Sequence, residues 1–405
     1  MNSTRVSSKY IAAIFFLFGL GIMSTASRTP EIKANLSLNN ALFGTFLSLG
    51  AVGSIFALSI VGEIVHKYGS KPVLYLAISL LFSTLIAVPH LHTGWYWLVV
   101  NILLGFAASS LHIAANAQAV HMQEVSGRDF LAKLHGMWIC GALLSATLAF
   151  IIRPFISLAW HLDTVMSAAW LISLIAIARI NPPLAAATHD SKTPAFNLFS
   201  TLKDIFGALR LHPWIAFGMV TAVIFELATS DWSTLFMKQE IKASSTMSIL
   251  PYIIFMIAMI SMRLSSHRLF SIAPEATWMK RLPLFGGLSF ILIEQLAIHI
   301  AHSHKSLGYL LTILAFTCAG LGCSFLMPSL YAISTRVSTR PGSIIIAQMT
   351  FINTVLVFLA KLAISWMAGR FSIGTALLLP AALLATSSLA GRMGNPAKVT
   401  RAQSK

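Results

Sequence analysis

The sequence predicts an all-α membrane protein of twelve transmembrane helices in two six-helix bundles. Twelve apolar stretches, each long enough to cross a bilayer, lie six on either side of one polar segment running from about Arg179 to Pro213. Composition agrees: 57% of the 405 residues are hydrophobic, only 10% are charged, and the mean hydropathy is +0.79. Lipid offers the backbone no hydrogen-bond partner, so each crossing closes its own bonds as a helix of about 20 residues. So little chain lies outside these stretches that no soluble catalytic domain is expected.

The expected crossings, spans 1 to 12, are 10–27, 41–61, 72–89, 95–118, 134–153, 158–179, 214–236, 247–264, 283–301, 307–332, 343–366 and 373–391. They define an N-terminal bundle over 1–180, a cytoplasmic linker over 181–213, a C-terminal bundle over 214–391 and a cytoplasmic tail over 392–405. A repeated set of six is the arrangement in which secondary transporters build a site near the bilayer midplane. Transport is therefore the expected function.

Span 1 follows Arg5 and Lys9 and ends in small residues around Ala26, as a signal peptide would. Cleavage would leave eleven spans and break the symmetry, so it is read as a crossing. Gly44, Ser48 and Ser54 in span 2, Gly136 and Gly141 in span 5, and Gly320 and Gly322 in span 10 recur at intervals suited to close helix packing. In span 4, Asn101, Gly105, Ser109, His112 and Asn116 are spaced 4, 4, 3 and 4 and share one helix face. A polar stripe in lipid is unfavourable unless it meets water or partners, so this one is expected to line an internal pathway. Interhelical hydrogen bonds are the alternative.

The linker begins Asn181-Pro182-Pro183 and turns amphipathic from Phe196 to Leu211, with Phe199, Leu202, Ile205, Phe206 and Leu209 on one face. A helix at the cytoplasmic surface and a plain linker both fit. Span 7 carries Glu226 near its middle and Asp231 five residues on, about 7.5 Å along the axis and about 140° around it. An unpaired carboxylate in lipid tends to protonate, which suits a proton-coupled carrier. The opposing expectation is that Arg28 or Lys361 satisfies both acids. Glu294 in span 9 is read as a structural acid, and Lys361 in span 11 as reaching the external surface. Gln348 and Asn353 in span 11 are read as general polar contacts. Cys140, Cys318 and Cys323 all fall inside spans and read as packing residues, with no metal spacing.

The net charge of +16 is distributed by side rather than by patch. With the N-terminus inside, the cytoplasmic segments hold 20 Lys and Arg, the external loops hold 7, and Lys361 completes the 28. This is the positive-inside pattern, and it removes the case for nucleic acid. There is no Gly-rich phosphate loop followed by Lys-Ser/Thr, no His-Glu-x-x-His and no nucleophile elbow, so neither an ATPase nor an enzyme is expected. No cofactor or metal is expected either.

After span 2 comes Gly62-Glu63-Ile64-Val65-His66-Lys67-Tyr68-Gly69-Ser70-Lys71-Pro72. Gly62, Lys67, Gly69 and Lys71 resemble the loop signature Gly-x-x-x-Asp-Arg-x-Gly-Arg-Arg/Lys of the major facilitator superfamily. In that family the aspartate latches the outward-facing state, and here His66 holds its position. Arg28-Thr29-Pro30-Glu31-Ile32-Lys33, Asn116-Ala117-Gln118-Ala119-Val120 with Gly127-Arg128, His135-Gly136-Met137-Trp138, and Glu226 with Ser230-Asp231-Trp232-Ser233 resemble the YbjJ-type transporters, relatives of the fucose permeases. That subgroup usually has Gly-Arg-Leu-x-Gly-Asp-Arg after span 8. Met262-Arg263-Leu264-Ser265-Ser266-His267-Arg268 again puts His267 where aspartate is expected. The two replacements mark either a carrier with altered gating or one whose function is eroding.

The resemblance implies a cavity lined by spans 1, 4, 7 and 10. Asn101, His112, Asn116, Glu226, Asp231 and Trp232 are its expected lining, and Glu226 and Asp231 its proton-coupling candidates. Gly62, His66, Lys67, Gly69, Lys71, Arg263 and His267 are the expected gating-loop residues. The expected protein is a monomeric, multi-pass secondary carrier of the cytoplasmic membrane. It moves a small polar organic solute, sugar-like or a related metabolite, by alternating access with protons. Its partners are that solute, H+ and the lipid bilayer. Proton-coupled efflux of amphipathic compounds, and a non-transporting receptor or scaffold, are the alternatives. Reporter fusions after Lys33, Thr188 and Lys405 are expected to read outside, inside and inside; an external tail would break this topology.

Overall fold

The computed structural model describes residues 2–127, 131–185, 213–324, 326–327, 329–330, 333 and 342–394. Among them all regular structure is helical. The spans are Asn2–Ala26, Asn40–Tyr68, Ser70–Ala87, Gly94–Ser126, Leu131–Ile152 and Leu158–Ala178, then Pro213–Gln239, Leu250–Leu264, Glu275–Ala301, Lys305–Cys323, Gly342–Arg370 and Ile373–Thr386. Eleven are long and apolar enough to cross a membrane. The remaining one, span 7, has 27 residues and is the helix that carries Glu226 and Asp231. The amphipathic segment Phe196–Leu211, Arg128 and the tail after 394 lie outside the described residues, and so does the side chain of Gln348.

The chain divides into two compact units: 1–38 with 46–198, and 39–45 with 199–405. Within the first, span 1 packs chiefly on span 5, and span 3 on spans 4 and 6. Within the second, span 9 likewise packs on spans 10 and 12, while span 7 meets span 12 more than span 11. The internal repeat inferred from hydropathy is thus in large part a repeat of packing.

Several helix boundaries differ from the sequence reading, span 9 for one beginning at Glu275 rather than at 283. Span 4 runs for 33 residues, about 50 Å, longer than the roughly 30 Å hydrocarbon layer. Its polar end stays helical until Gly127, whose φ of 63° is a left-handed conformation open to glycine. The segment Gly62–Pro72, expected as a loop, is mostly helix: span 2 continues to Tyr68 and span 3 starts at Ser70. Gly69 alone turns the chain, with φ 81°.

Small residues set the closest helix contacts, because lipid supplies no hydrophobic drive between helices and the gain must come from contact itself. A Cβ on Gly141 would fall 1.9 Å from the Phe16 carbonyl oxygen, and one on Gly19 would fall 2.0 Å from that of Trp138. Spans 1 and 5 therefore touch backbone to backbone. Spans 2 and 4 do the same: Cβ atoms on Gly53 and Gly105 would meet the carbonyl oxygens of Ile102 at 1.9 Å and Gly50 at 2.0 Å. Gly136, expected as a packing residue, has nothing within 4 Å of its Cβ position. The second unit adds an aromatic core, with Phe225, Phe290 and Phe316 of spans 7, 9 and 10 edge to face at 4.8 and 5.1 Å between centroids. Such pairs contribute about 0.5–1.5 kcal/mol each beyond burial.

Gly136 and Gly141 give a matched test. Gly141→Ala is expected to destabilise by at least about 1–3 kcal/mol despite alanine's better helix propensity, because the methyl meets backbone. Gly136→Ala should be neutral or stabilise by up to about 1 kcal/mol. Thermal melting of the purified protein in detergent separates the two; equal effects would refute the contact.

Candidate functional site

In the first unit the span 4 stripe splits. Asn101 is buried and donates through Nδ2 to the carbonyls of Phe46 and Leu47, both at 2.8 Å. Expected as cavity lining, it instead pins span 4 to span 2. Gly105 serves the same seam, its carbonyl accepting from Ser54 Oγ at 3.1 Å. The other end of the stripe is open. His112 is exposed and Asn116 partly so, with Asn116 Nδ2 donating to the His112 carbonyl at 2.8 Å.

Across from His112 stands His135 of span 5, also exposed, with ring centroids 6.0 Å apart. Phe18 lies 6.4 Å from His112 and 6.4 Å from Trp138, while Phe15 meets His135 edge to face at 5.5 Å. Spans 1, 4 and 5 thus place two imidazoles and three aromatic rings together. His135 was absent from the expected site. Its partner is 23 residues away in sequence on another helix, and no spacing rule pairs them.

A second polar centre lies at the end of the helices near residue 70. Gln118, fully buried, accepts at Oε1 from Ser70 Oγ at 2.5 Å and from the Leu184 amide at 2.8 Å, and donates through Nε2 to the Pro182 carbonyl at 2.8 Å. Lys71 Nζ donates to the Ala178 carbonyl at 3.0 Å. Of the other expected gating residues, Gly62, His66 and Lys67 are exposed, with the Lys67 ammonium 5.3 Å from the centre of the Tyr68 ring. His267 is exposed on a short helix, Ser266–Ile272.

The third cluster is ionic. Glu31 bridges two buried guanidiniums, Arg28 at 2.8 Å and Arg153 at 3.2 Å. Arg28 also donates to His161 Nδ1 at 3.2 Å and to the Ile156 carbonyl at 3.1 Å. Burial lowers the pKa of Arg153, and the Glu31 carboxylate opposes that shift. Arg28 is therefore committed within its own unit rather than to an acid of span 7.

In the second unit both span 7 acids are paired. Glu226 Oε2 lies 3.4 Å from Arg263 Nη2 of span 8, with both side chains about a quarter exposed. Arg263 also donates from Nε to the Ser324 carbonyl of span 10. Expected in a gating loop, Arg263 falls one residue before the end of span 8, where its side chain turns onto span 7. Asp231 Oδ2 lies 2.7 Å from Lys361 Nζ. Lys361 thus answers an acid in the bundle instead of reaching the surface. Trp232 is a buried packing residue of this unit, its ring filling the space left by Gly44. Glu294 is fully buried, with Oε2 accepting from Gln295 Nε2 at 2.7 Å.

Two repeated six-helix units with charge pairs inside the helices define a polytopic membrane carrier. The model of the Major Facilitator Superfamily matches residues 10–360, and the chain belongs to that superfamily of transporters. It is 25% identical to an uncharacterised MFS-type transporter of Yersinia pestis over 383 residues, covering 93% of each chain. It is also 24% identical to the membrane protein MosC of Rhizobium meliloti over 261 residues, 64% of this chain and 60% of that one. Among solved structures it superposes on the nucleoside transporter NupG with TM-score 0.68 and 14% identity, covering 97% and 99% of the two chains. It superposes on a D-xylose–proton symporter with TM-score 0.68 and 12% identity, covering 95% of each. These likenesses establish the fold.

The Asp231–Lys361 pair is open to a double-mutant test. Asp231→Asn strands the Lys361 ammonium among helices and is expected to lower stability by about 3 kcal/mol, while adding Lys361→Met should recover most of it. A single variant that melts with the parent protein would show that the pair contributes no folding energy.

Proposed function

We propose that the chain is a secondary active transporter that moves a small polar organic solute by alternating access, coupled to protons. It acts as a monomer in the cytoplasmic membrane with both termini inside. The observation that carries this reading is Glu226: a carboxylate in the middle of a membrane-spanning helix, a quarter exposed, and held by a single long contact to Arg263. A tight, fully buried pair would be fixed in charge. A loose, partly wet one can lose its ionic form to a proton and regain it. His112, Asn116 and His135 supply polar groups on an open face of spans 4 and 5, suited to hydroxyl or amine groups. The fold shared with a D-xylose–proton symporter and a nucleoside transporter supports a polar solute. The motif resemblance to the YbjJ-type and fucose-permease group points the same way.

A second reading rests on Phe15, Phe18 and Trp138 around the two imidazoles, an aromatic surface that amphipathic compounds would also favour. The direction of flux separates the two.

In vesicles with an imposed proton gradient, the parent protein is expected to accumulate a polar solute. Glu226→Gln keeps the shape and mimics the protonated acid, so exchange of solute across the membrane should persist while accumulation is lost. Accumulation by Glu226→Gln equal to that of the parent would move the coupling role to Asp231. Absence of gradient-dependent flux for every solute class would favour a receptor or scaffold.

A further inference from the structure

The charges around Glu226 restrict the solute further. Facing this carboxylate among the described residues are Arg263 and Tyr252 of span 8 and Cys323 of span 10. Span 11 brings Lys361, already held by Asp231 at 2.7 Å, and Ile373–Thr386 of span 12 brings no titratable group. The four charges cancel in pairs. When Glu226 takes a proton, its negative charge disappears and Arg263 keeps its own, since a guanidinium does not deprotonate in this range. The described partners left to Arg263 are then the Ser324 carbonyl alone, a neutral dipole for a full cation inside a helix bundle. Such a state favours the arrival of an anion.

A second observation comes from further along span 8, eleven residues before Arg263. Tyr252 is 2% exposed, and its hydroxyl has no hydrogen-bond partner among the described residues. It lies within electrostatic reach of both Glu226 and Asp231. A buried hydroxyl without an acceptor is costly, and an oxygen-rich anion on Arg263 would supply one.

We propose, resting on the proton-coupled reading above, that the solute carries a carboxylate, which replaces Glu226 on Arg263 when Glu226 is protonated. The Glu226–Arg263 contact breaks as the proton adds to the Glu226 carboxyl, and the solute carboxylate accepts from the freed guanidinium while a second oxygen of the solute, further along span 8, accepts from the Tyr252 hydroxyl. Asp231–Lys361 stays closed throughout. Proton and anion then favour each other's binding reciprocally. One proton with one monoanion moves no net charge, whereas one proton with a neutral solute moves one positive charge.

The test uses the purified full chain with gluconate, glucuronate and galacturonate set against glucose, myo-inositol and glucosamine. Thermal shift at acid and alkaline pH is expected to show at least one carboxylate binding about tenfold more tightly in acid. Glu226→Gln should bind that carboxylate with no dependence on pH, and Tyr252→Phe should weaken it in acid alone. Arg263→Lys, which keeps the charge and the fold, should weaken it at both. In liposomes, uptake should follow a pH gradient and ignore an imposed membrane potential. Silence of all three carboxylates, or a carboxylate bound equally by Arg263→Lys, overturns the proposal. So does uptake of a neutral compound driven by both pH gradient and potential, an outcome that leaves the proton-coupled carrier standing.

Discussion

Everything in this chain answers to one constraint: inside a bilayer, no polar group can be left to the solvent. The backbone meets it by forming helices and nothing else among the described residues. The helices must then associate without a hydrophobic drive, which is why glycines at 19, 53, 105 and 141 bring backbones into contact. Side-chain charges meet the same constraint by pairing, the span 7 acids across helices and Glu31 partly with its own segment. Glu226 finds Arg263, Asp231 finds Lys361, and Glu31 finds Arg28 and Arg153. The pairs differ in how completely they meet it. The Glu31 cluster uses two guanidiniums for one carboxylate and adds His161 and a backbone carbonyl, so it reads as a fixed brace. Glu226–Arg263 is the longest of these contacts, at 3.4 Å, with both partners about a quarter exposed.

Much of the fold was legible in the sequence because the bilayer acts on each segment separately. Hydropathy finds a crossing without reference to its neighbours, and the six-plus-six division follows. Local geometry was legible only in part: Gly69 turns the chain inside the segment read as a loop, although that segment is mostly helix. What could not be read was who meets whom. Asn101 and His112 share a helix face in sequence, yet one is consumed by span 2 carbonyls and the other is open. Periodicity gives the face, and only packing decides what covers it. The span 7 acids were found, but the choice of base was not: Arg28 was as plausible a partner as Lys361 until tertiary structure committed it to Glu31. Arg263 was hidden by its proximity to a loop motif, since a long side chain one residue inside a helix end can turn either way.

The two units repeat packing without repeating chemistry. Spans 1 and 5 meet through glycines, with aromatic rings and imidazoles on spans 1, 4 and 5, while the second unit has a phenylalanine core and two paired carboxylates on span 7. Helix pairing depends on shape, which small residues preserve across both halves. Polar groups are free to diverge wherever packing leaves a face uncovered.

Gln118 carries a consequence for how this chain tolerates insertion. Its one amide holds the start of span 3 through Ser70 and the segment after span 6 through Pro182 and Leu184. Two connections that sequence would mark as ordinary surface turns are therefore anchored to a third helix at fixed length. Extra residues at 69–70 would pull Ser70 off a buried carboxamide, and extra residues at 182–184 would strand its Nε2 donor. A reporter or affinity tag placed there would strain the bundle from beneath. Connections that short are better understood as part of the helix framework than as its ends.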